Sequence, residues 1–546
     1  MTTAPCRTRI VGAALLTFSV CLVTPAVAQT AAVEDTLILP QGIAPGDGFG
    51  RAVAASGDQL VVSAFAAGCS PAGGCGGFQV YDRSSGSWLK VVDVQGGLPG
   101  YASSLDVDGD RLVVSNGGGG GLFDVYEQSA FFPWTLSASI PAPAGAPTEV
   151  VVDVEGDLVM VGVPGDDTLG VDAGTAYLYQ RTGGIWTLIT QLFADNPAPF
   201  QRFGASVGVG DGYVLVGRPT TPSRNPAVWG GVWVYEPTAT GWIHTAKLRA
   251  PDGGPGREIP VSMAVDGDRV ALAEQGSLAA GGPASGAVHL YERTAGEWFY
   301  RATIDPPDPD TFDLRWGSSV DLDGDRLLIC PRFEPRTWVF REQPGAGWQA
   351  EAVLVPRAPW GDVVNVACLG PDYTVVANPS GDLVVTDGGE LRIHDEPYAS
   401  TGDIVCVPGS TMACPCGNDP GQGVPSGCRN SQGFGAILVA DGSTSALSDD
   451  MNVTLNGIPA DGVVVLWAMP GAAAPRLSFG GIACVGSGAR RVGLGGQGAQ
   501  GFGPGLLALS GASPGETWTF QAVYRDPAAA CGVINWTNAV EVDLVP

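Results

Sequence analysis

The chain has 546 residues, with 28 Lys and Arg against 55 Asp and Glu, a formal charge of −27. Gly (81) and Pro (43) are abundant, yet 45% of the residues are hydrophobic and 15% charged. Disordered chains show the opposite balance, so a folded protein dense in turns is expected. Lys90 and Lys247 are the only lysines, which makes the chain a poor match for phosphate backbones, and no nucleic-acid partner is expected.

Residues 1–28 read as a secretory signal peptide. Arg7 and Arg9 precede an apolar run over 10–23, too short to span a bilayer. Ala26-Val27-Ala28 fits the small-x-small cleavage rule, so cleavage after Ala28 is expected. No later stretch is long and apolar enough for a transmembrane helix. The mature chain is expected to be secreted, extracellular or at the cell surface.

From there a phrase repeats: a small apolar run, Gly-Asp, then apolar residues. It occurs at Gly57-Asp58, Gly109-Asp110, Gly156-Asp157, Gly210-Asp211, Gly267-Asp268 and Gly324-Asp325, with a degenerate Gly370-Pro371-Asp372. The period is roughly fifty residues, the size of a propeller blade with its loops. Strand one ends at Gly-Asp, and strand two is the apolar run after it. Strand three is a Gly followed by alternation ending in Tyr, as in Gly77 to Tyr81 and Gly174 to Tyr179. Strand four opens on Trp88, Trp134, Trp186, Trp242, Trp298 or Trp348. Six tryptophans at one repeat position are expected to pack between blades. No amphipathic helix interrupts the pattern.

Seven four-stranded units predict an all-β fold: a seven-bladed β-propeller over 29–397, its edges protected by radial closure. Gly48-Phe49-Gly50, Phe203-Gly204-Ala205-Ser206-Val207 and Trp316-Gly317-Ser318-Ser319-Val320 resemble the Phe-Gly element of FG-GAP repeats. Val161-Gly162-Val163-Pro164 and Val216-Gly217-Arg218-Pro219 resemble their Gly-Ala-Pro element. The resemblance, over roughly Phe49 to Asp395, implies the propeller of integrin α-subunits and of many exported bacterial proteins. A fold of this kind hosts many functions. Blade seven shows strands at 363–369, 373–377 and 391–395 but no Trp-led fourth. The N-terminal strand 35–40 resembles the tails of the other fourth strands, so it is expected to close blade seven beside 391–395.

Members of that family often carry calcium in Asp-x-Asp-x-Asp-Gly cages. Asp106, Asp108 and Asp110, and Asp321, Asp323 and Asp325, place three acids at alternate positions, and Asp153, Glu155 and Asp157 are a variant. Here the Gly falls between the second and third acid, Arg111 and Arg326 follow at once, and no distal acid closes the cage. A solvated hairpin turn is the competing reading. The histidines are His244, His289 and His394, and none sits in a nucleophile motif. A non-catalytic binding protein for adhesion or extracellular assembly is therefore expected. The alternatives are a calcium-assisted, lectin-like carbohydrate binder and an exported hydrolase with a channel site. The long connections between strands two and three, 65–76, 165–174, 218–230 and 274–286, share one face, where a protein or glycan ligand is expected.

Cys6 and Cys21 leave with the signal peptide. In an exported protein the remaining cysteines favour disulfides. Cys69 and Cys75 bracket a Gly/Pro loop, and Cys484 with Cys531 would close a long loop in the last domain; both pairs are expected. The pairing of Cys330, Cys368, Cys406, Cys414, Cys416 and Cys428 stays open. Residues 398–433 read as a Cys/Gly/Pro-rich connector. Residues 434–546 read as a smaller C-terminal β-sandwich, with strands at 436–440, 451–455, 463–467, 506–509, 517–524 and 539–545.

Overall fold

The computed structural model describes residues 30–32, 36–38, 48–64, 76–84, 86–95, 101–116, 121–129, 132–142, 149–219, 230–251, 259–260, 262–274, 286–307, 315–332, 336–355, 366–379, 389–396, 403–408, 412–420, 424–431, 433, 435–459, 463–471, 475–486, 488–495, 501–529 and 532–545. Residues 1–28, expected to be a signal peptide, Cys69, Cys75, Cys531 and most of the loops 65–76, 218–230 and 274–286 lie outside them.

Seven sheets follow one another along the chain; the first five each hold four antiparallel strands in sequence order or its reverse, and the sixth and seventh each take in an N-terminal strand as well. The first holds Val53–Ser56, Gln59–Ala64, Gly77–Asp82 and Leu89–Gln95, and the later sheets repeat that order. Each inner strand lies beside the inner strand of the next sheet, and Val366–Leu369 of the seventh lies beside Val53–Ser56 of the first. The ring is thus closed. Strand three meets strand four with a register shift at the recurring aromatic: Val80/Tyr81, Leu178/Tyr179, Val234/Tyr235, Leu290/Tyr291 and Val339/Phe340. A bulge there bends the outer strand and adds twist.

The apolar faces stack between neighbouring sheets, and the strand-four tryptophans lie there as expected. Trp88 meets Tyr373 of the preceding sheet edge-on at 5.0 Å, and Trp298 meets Tyr213 in the same way at 5.0 Å. Trp134 and Trp186 are buried in the corresponding clusters. The Phe-Gly elements are wedges. Phe203 is fully buried and bridges Gly174 of the preceding sheet. A Cβ at Gly174 would come within 2.2 Å of the Phe203 carbonyl oxygen, so only glycine admits the wedge.

The seventh sheet closes as the N-terminal motif predicts. Thr36–Ile38 pairs antiparallel with Glu390–Asp395, with Thr36 opposite Ile393 and Ile38 opposite Leu391. Ile38 joins the cluster between sheets seven and one. An additional feature was not foreseen: Thr30–Ala32 adds in parallel to Gly347–Leu354, making the sixth sheet five-stranded.

Beyond the ring, a five-stranded sheet of Asp403–Val405, Ile534–Asp543, Thr517–Arg525, Val464–Pro470 and Arg490–Gly495 faces a three-stranded sheet of Ile437–Asp441, Asn452–Asn456 and Gly501–Phe502. Leu438, Val453 and Leu455 from one layer and Leu466, Phe520 and Val540 from the other share one buried core. Val424, Ile437 and Val439 pack in a common cluster with Phe340, Val353 and Val355 of the sixth sheet.

Two expectations for this region are corrected. Leu506–Ser510 is a helix, not a strand. Its residues are Leu, Leu, Ala, Leu and Ser, without β-branching, and left-handed Gly505 and Gly511 bound it. The Asp449 carboxylate accepts the N–H groups of Leu507 and Ala508 from far away in sequence. The second correction concerns cysteine. Cys484 is bonded to Cys406, not to Cys531, and Cys414 to Cys428. Strand Ile534–Asp543 pairs with Asp403–Val405 and packs beside Gly481–Ala483, which brings the connector to Cys484. Cys416 is in a disulfide too. Cys330 and Cys368 are free and buried, Cys330 in the cluster between sheets six and seven and Cys368 in the one between sheets seven and one.

Candidate binding face

The inner strands surround a channel with a cavity of about 490 Å³, lined among others by Ser56, Asp106, Asp153, Glu155, Asp266 and Asp321. An inner strand has one backbone edge facing the next sheet, where donors need acceptors. The acidic residues supply them. Asp106 accepts the N–H of Val154 at 2.9 Å, Asp153 that of Val209 at 2.7 Å, and Asp321 that of Leu369 at 2.7 Å. Nearer the turns, Asp108 accepts from Gly156 at 2.7 Å and Asp266 from Gly324 at 2.8 Å. Ser56, Ser104, Ser262 and Ser319 do the same with hydroxyl oxygens.

Burial pushes the Asp321 carboxyl up to about 7, against the pull of the amides of Leu369 and Leu322. Burial also raises Asp106, and it raises Asp153 strongly, the neighbouring Asp106 charge adding to the latter. The Asp106 and Asp153 side chains interact directly, so the two carboxyls titrate as a pair.

The residue that opens strand two reaches the following Gly-Asp turn. Arg111 donates to the Gly156 carbonyl, Tyr213 to Gly267 at 2.7 Å, Arg269 to Gly324 at 2.7 Å, Arg326 to Gly370 at 2.6 Å and Tyr373 to Gly57 at 3.0 Å. Asp323 ion-pairs with Arg326, and Asp325 with Arg341 at 2.9 Å. Of the acids read as candidate calcium ligands, Asp106, Asp108, Asp153 and Asp321 therefore hold the next blade, while Asp323 and Asp325 pair with arginines of their own sheet. Among the described residues, no group of three His, Cys, Asp or Glu side chains is arranged to hold a metal ion.

The opposite face carries the connections between strands two and three and from each sheet to the next. Of its long loops, 165–174 is described throughout, and it is locked to the segment 195–203. Phe200 N–H donates to the Val171 carbonyl at 2.7 Å, Arg202 to Asp172 at 2.9 Å and Phe203 to Ala173 at 3.0 Å. Within the loop, Asp166 and Asp167 carboxylates accept the N–H groups of Thr168 and Asp172. Arg202 ion-pairs with Glu149 at 2.5 Å.

This pinned pair of loops displays apolar side chains. Leu169, Val171 and Phe200 are 43%, 54% and 40% exposed. Asp172, Phe200 and Arg202 all have left-handed backbones, with φ of 50°, 64° and 52°. For a bulky aromatic that conformation is an outlier costing on the order of 1 kcal/mol or more. Clusters of such outliers gather at ligand clamps and active sites. The loop-length pattern pointed to this face but not to Phe200. The run Pro197-Ala198-Pro199-Phe200 marks a turn, and nothing local says that the Phe stays outside.

Residues 33–77 match the FG-GAP repeat family. No curated protein matches the chain. Solved structures similar to it include a protein from Lactobacillus plantarum, at 13% identity over 58% of this chain and 86% of that one, with a TM-score of 0.41. A WD40 domain from Toxoplasma gondii coronin is 8% identical over 67% of this chain and 87% of its own, with a TM-score of 0.37. The Aleuria aurantia lectin in complex with Fucα1-6GlcNAc is 12% identical over 59% and 100%, with a TM-score of 0.35.

Proposed function

We propose that the chain is an exported, non-catalytic binding protein whose β-propeller presents the face of the strand two-to-three loops to an extracellular protein ligand. The observation that carries this reading is the pair of loops at 165–174 and 195–203, which holds Leu169, Val171 and Phe200 exposed on a strained, hydrogen-bonded backbone. Aliphatic and aromatic side chains fixed in one conformation suit an apolar protein segment, because little entropy remains to be lost on contact. Export is supported by the disulfides Cys406–Cys484 and Cys414–Cys428, which persist in oxidising compartments. No helix among the described residues is long and apolar enough to cross a membrane. The channel carboxylates serve as acceptors for blade-to-blade amides, which favours a structural over an acid–base role for them.

The test is an array of extracellular proteins and glycans probed with the mature chain, with and without calcium. A parallel probe carries Leu169→Ser, Val171→Ser and Phe200→Ser. Protein spots that bind the native chain and lose at least tenfold signal with the triple variant support the reading. Binding restricted to glycans and dependent on calcium would replace it with the lectin alternative.

A further inference from the structure

Beside the pinned loops lies a cluster of cations in a chain that otherwise carries an excess of 27 negative charges. Lys247, one of two lysines, stands opposite Trp233 across the strand pair Gly231–Thr238 and Gly241–Leu248. Its ammonium lies 3.6 Å from the Trp233 ring centroid, and the Arg218 guanidinium lies 4.5 Å from the same centroid. Arg249 is close enough to act electrostatically on both. Position 231 explains how the stems fit. A Cβ at Gly231 would fall 2.8 Å from Lys247 Cε and 3.4 Å from Arg249 Cγ, so glycine leaves the space over which both chains fold.

The cluster is joined to the exposed loops. Gln201, next to Phe200, accepts from Arg218 at 2.9 Å, and Phe203 packs edge-on against Trp233 at 5.5 Å. Asp195 accepts from Trp233 Nε1 at 3.0 Å and lies 3.4 Å from His244 Nδ1. Lys247 itself has no ion pair among the described residues; its contact is the indole face. Burial first, then Arg218 and Arg249, bring its ammonium down to about 7 against the pull of Asp195, and burial brings Arg218 down to about 10 against the same carboxylate. Repelling cations held half-buried, with Asp195 acting on both but making no ion pair with Lys247, would gain from an incoming anion.

We propose that Lys247 and Arg218, stacked on Trp233, form a subsite for a carboxylate on the protein ligand, beside the apolar contact made by Phe200. The bound segment is then apolar and acidic, and this deepens the binding reading on which it rests. The lysine supplies a point charge and the guanidinium a planar donor pair, a combination suited to one carboxylate group.

The test reads Lys247 directly. Reductive methylation with ¹³C-formaldehyde labels the two lysines and the α-amino group without removing charge, and Lys90, ion-paired with Asp93 at 2.7 Å, is the internal control. NMR titration at fixed ionic strength gives the apparent pKa of each amine, with 50 mM N-acetylglutamate as the probe and N-acetylglutamine as its neutral counterpart. The expected result is a rise of at least half a unit for Lys247 with the carboxylate alone, lost in Arg218→Gln, with Lys90 unmoved. An unchanged Lys247, or equal shifts at Lys90, overturns the subsite. The outcomes separate the two readings: array hits that need Phe200 but survive Lys247→Met leave the face standing and remove the subsite.

Discussion

Replacing Asp321 by Asn tests the carboxylate stitching through its dependence on pH. Asp321 accepts the Leu369 N–H at 2.7 Å and its neighbour Leu322 N–H at 2.9 Å. Its carboxyl is raised from 3.8 to about 7 in the folded ring, chiefly by burial. A group whose folded value is raised stabilises fully below its unfolded value and loses that contribution as pH climbs through the folded one. The window is therefore about pH 4 to 7. A shift of that size corresponds to ~4 kcal/mol at about 1.4 kcal/mol per unit. The side chain is half-buried and lines an open channel, where water screens part of the effect, so ~2 kcal/mol is expected. Asn keeps one acceptor and loses the other, which costs about 1 kcal/mol at every pH. Asp321→Asn should thus be less stable than the native chain at pH 4.5 and more stable at pH 8. The gap in melting temperature should move by about 2–3 °C between the two for a unit of this size. Differential scanning calorimetry across pH 4.5–8 measures it. Parallel pH profiles for the two proteins would refute the reasoning.

Other consequences follow from ring closure and cysteine placement. Deleting 29–41 removes the pairing of Thr36–Ile38 and uncovers Ile38's contact, a loss on the order of 5 kcal/mol from burial and several hydrogen bonds. A drop in melting temperature of the whole ring is expected, and an unchanged transition would contradict the closure. Peptide mapping of exported protein should return Cys406–Cys484 and Cys414–Cys428 links. A Cys484–Cys531 peptide would reverse the correction made above. Cys330 and Cys368 should resist a thiol reagent in the native state and react after denaturation, because burial pushes the Cys330 thiol up to about 12 and raises Cys368 well above the usual thiol range.

The ring was legible because its signals are local and repeated. A Gly-Asp turn, an alternating strand and a tryptophan recur in register, and each recurrence supports the others. The N-terminal strand could be placed because a fourth strand was missing at the other end. What the sequence did not disclose was set by distant contacts. Thr30–Ala32 attaches to a parallel edge that no hairpin specifies. The helix Leu506–Ser510 takes its cap from Asp449. Cys484 meets Cys406 because the last strand, Ile534–Asp543, pairs with the connector and packs beside Gly481–Ala483. The acidic triplets posed a subtler problem. Their spacing suits both a cation and a row of amides, and only the neighbouring blade decides between them. Phe200 was missed for a related reason: its exposure comes from hydrogen bonds to Val171 and Asp172, far away in sequence.

The central claim is that a partner docks on the face of the strand two-to-three loops. Hydrogen exchange of the mature chain, alone and saturated with the strongest protein ligand from the array, tests it most directly. The account predicts slowed exchange in 165–174 and 195–203, with the Gly-Asp turns at 57–58, 109–110, 156–157 and 324–325 unchanged. Protection confined to those turns would place the partner over the acidic end of the channel and contradict the account.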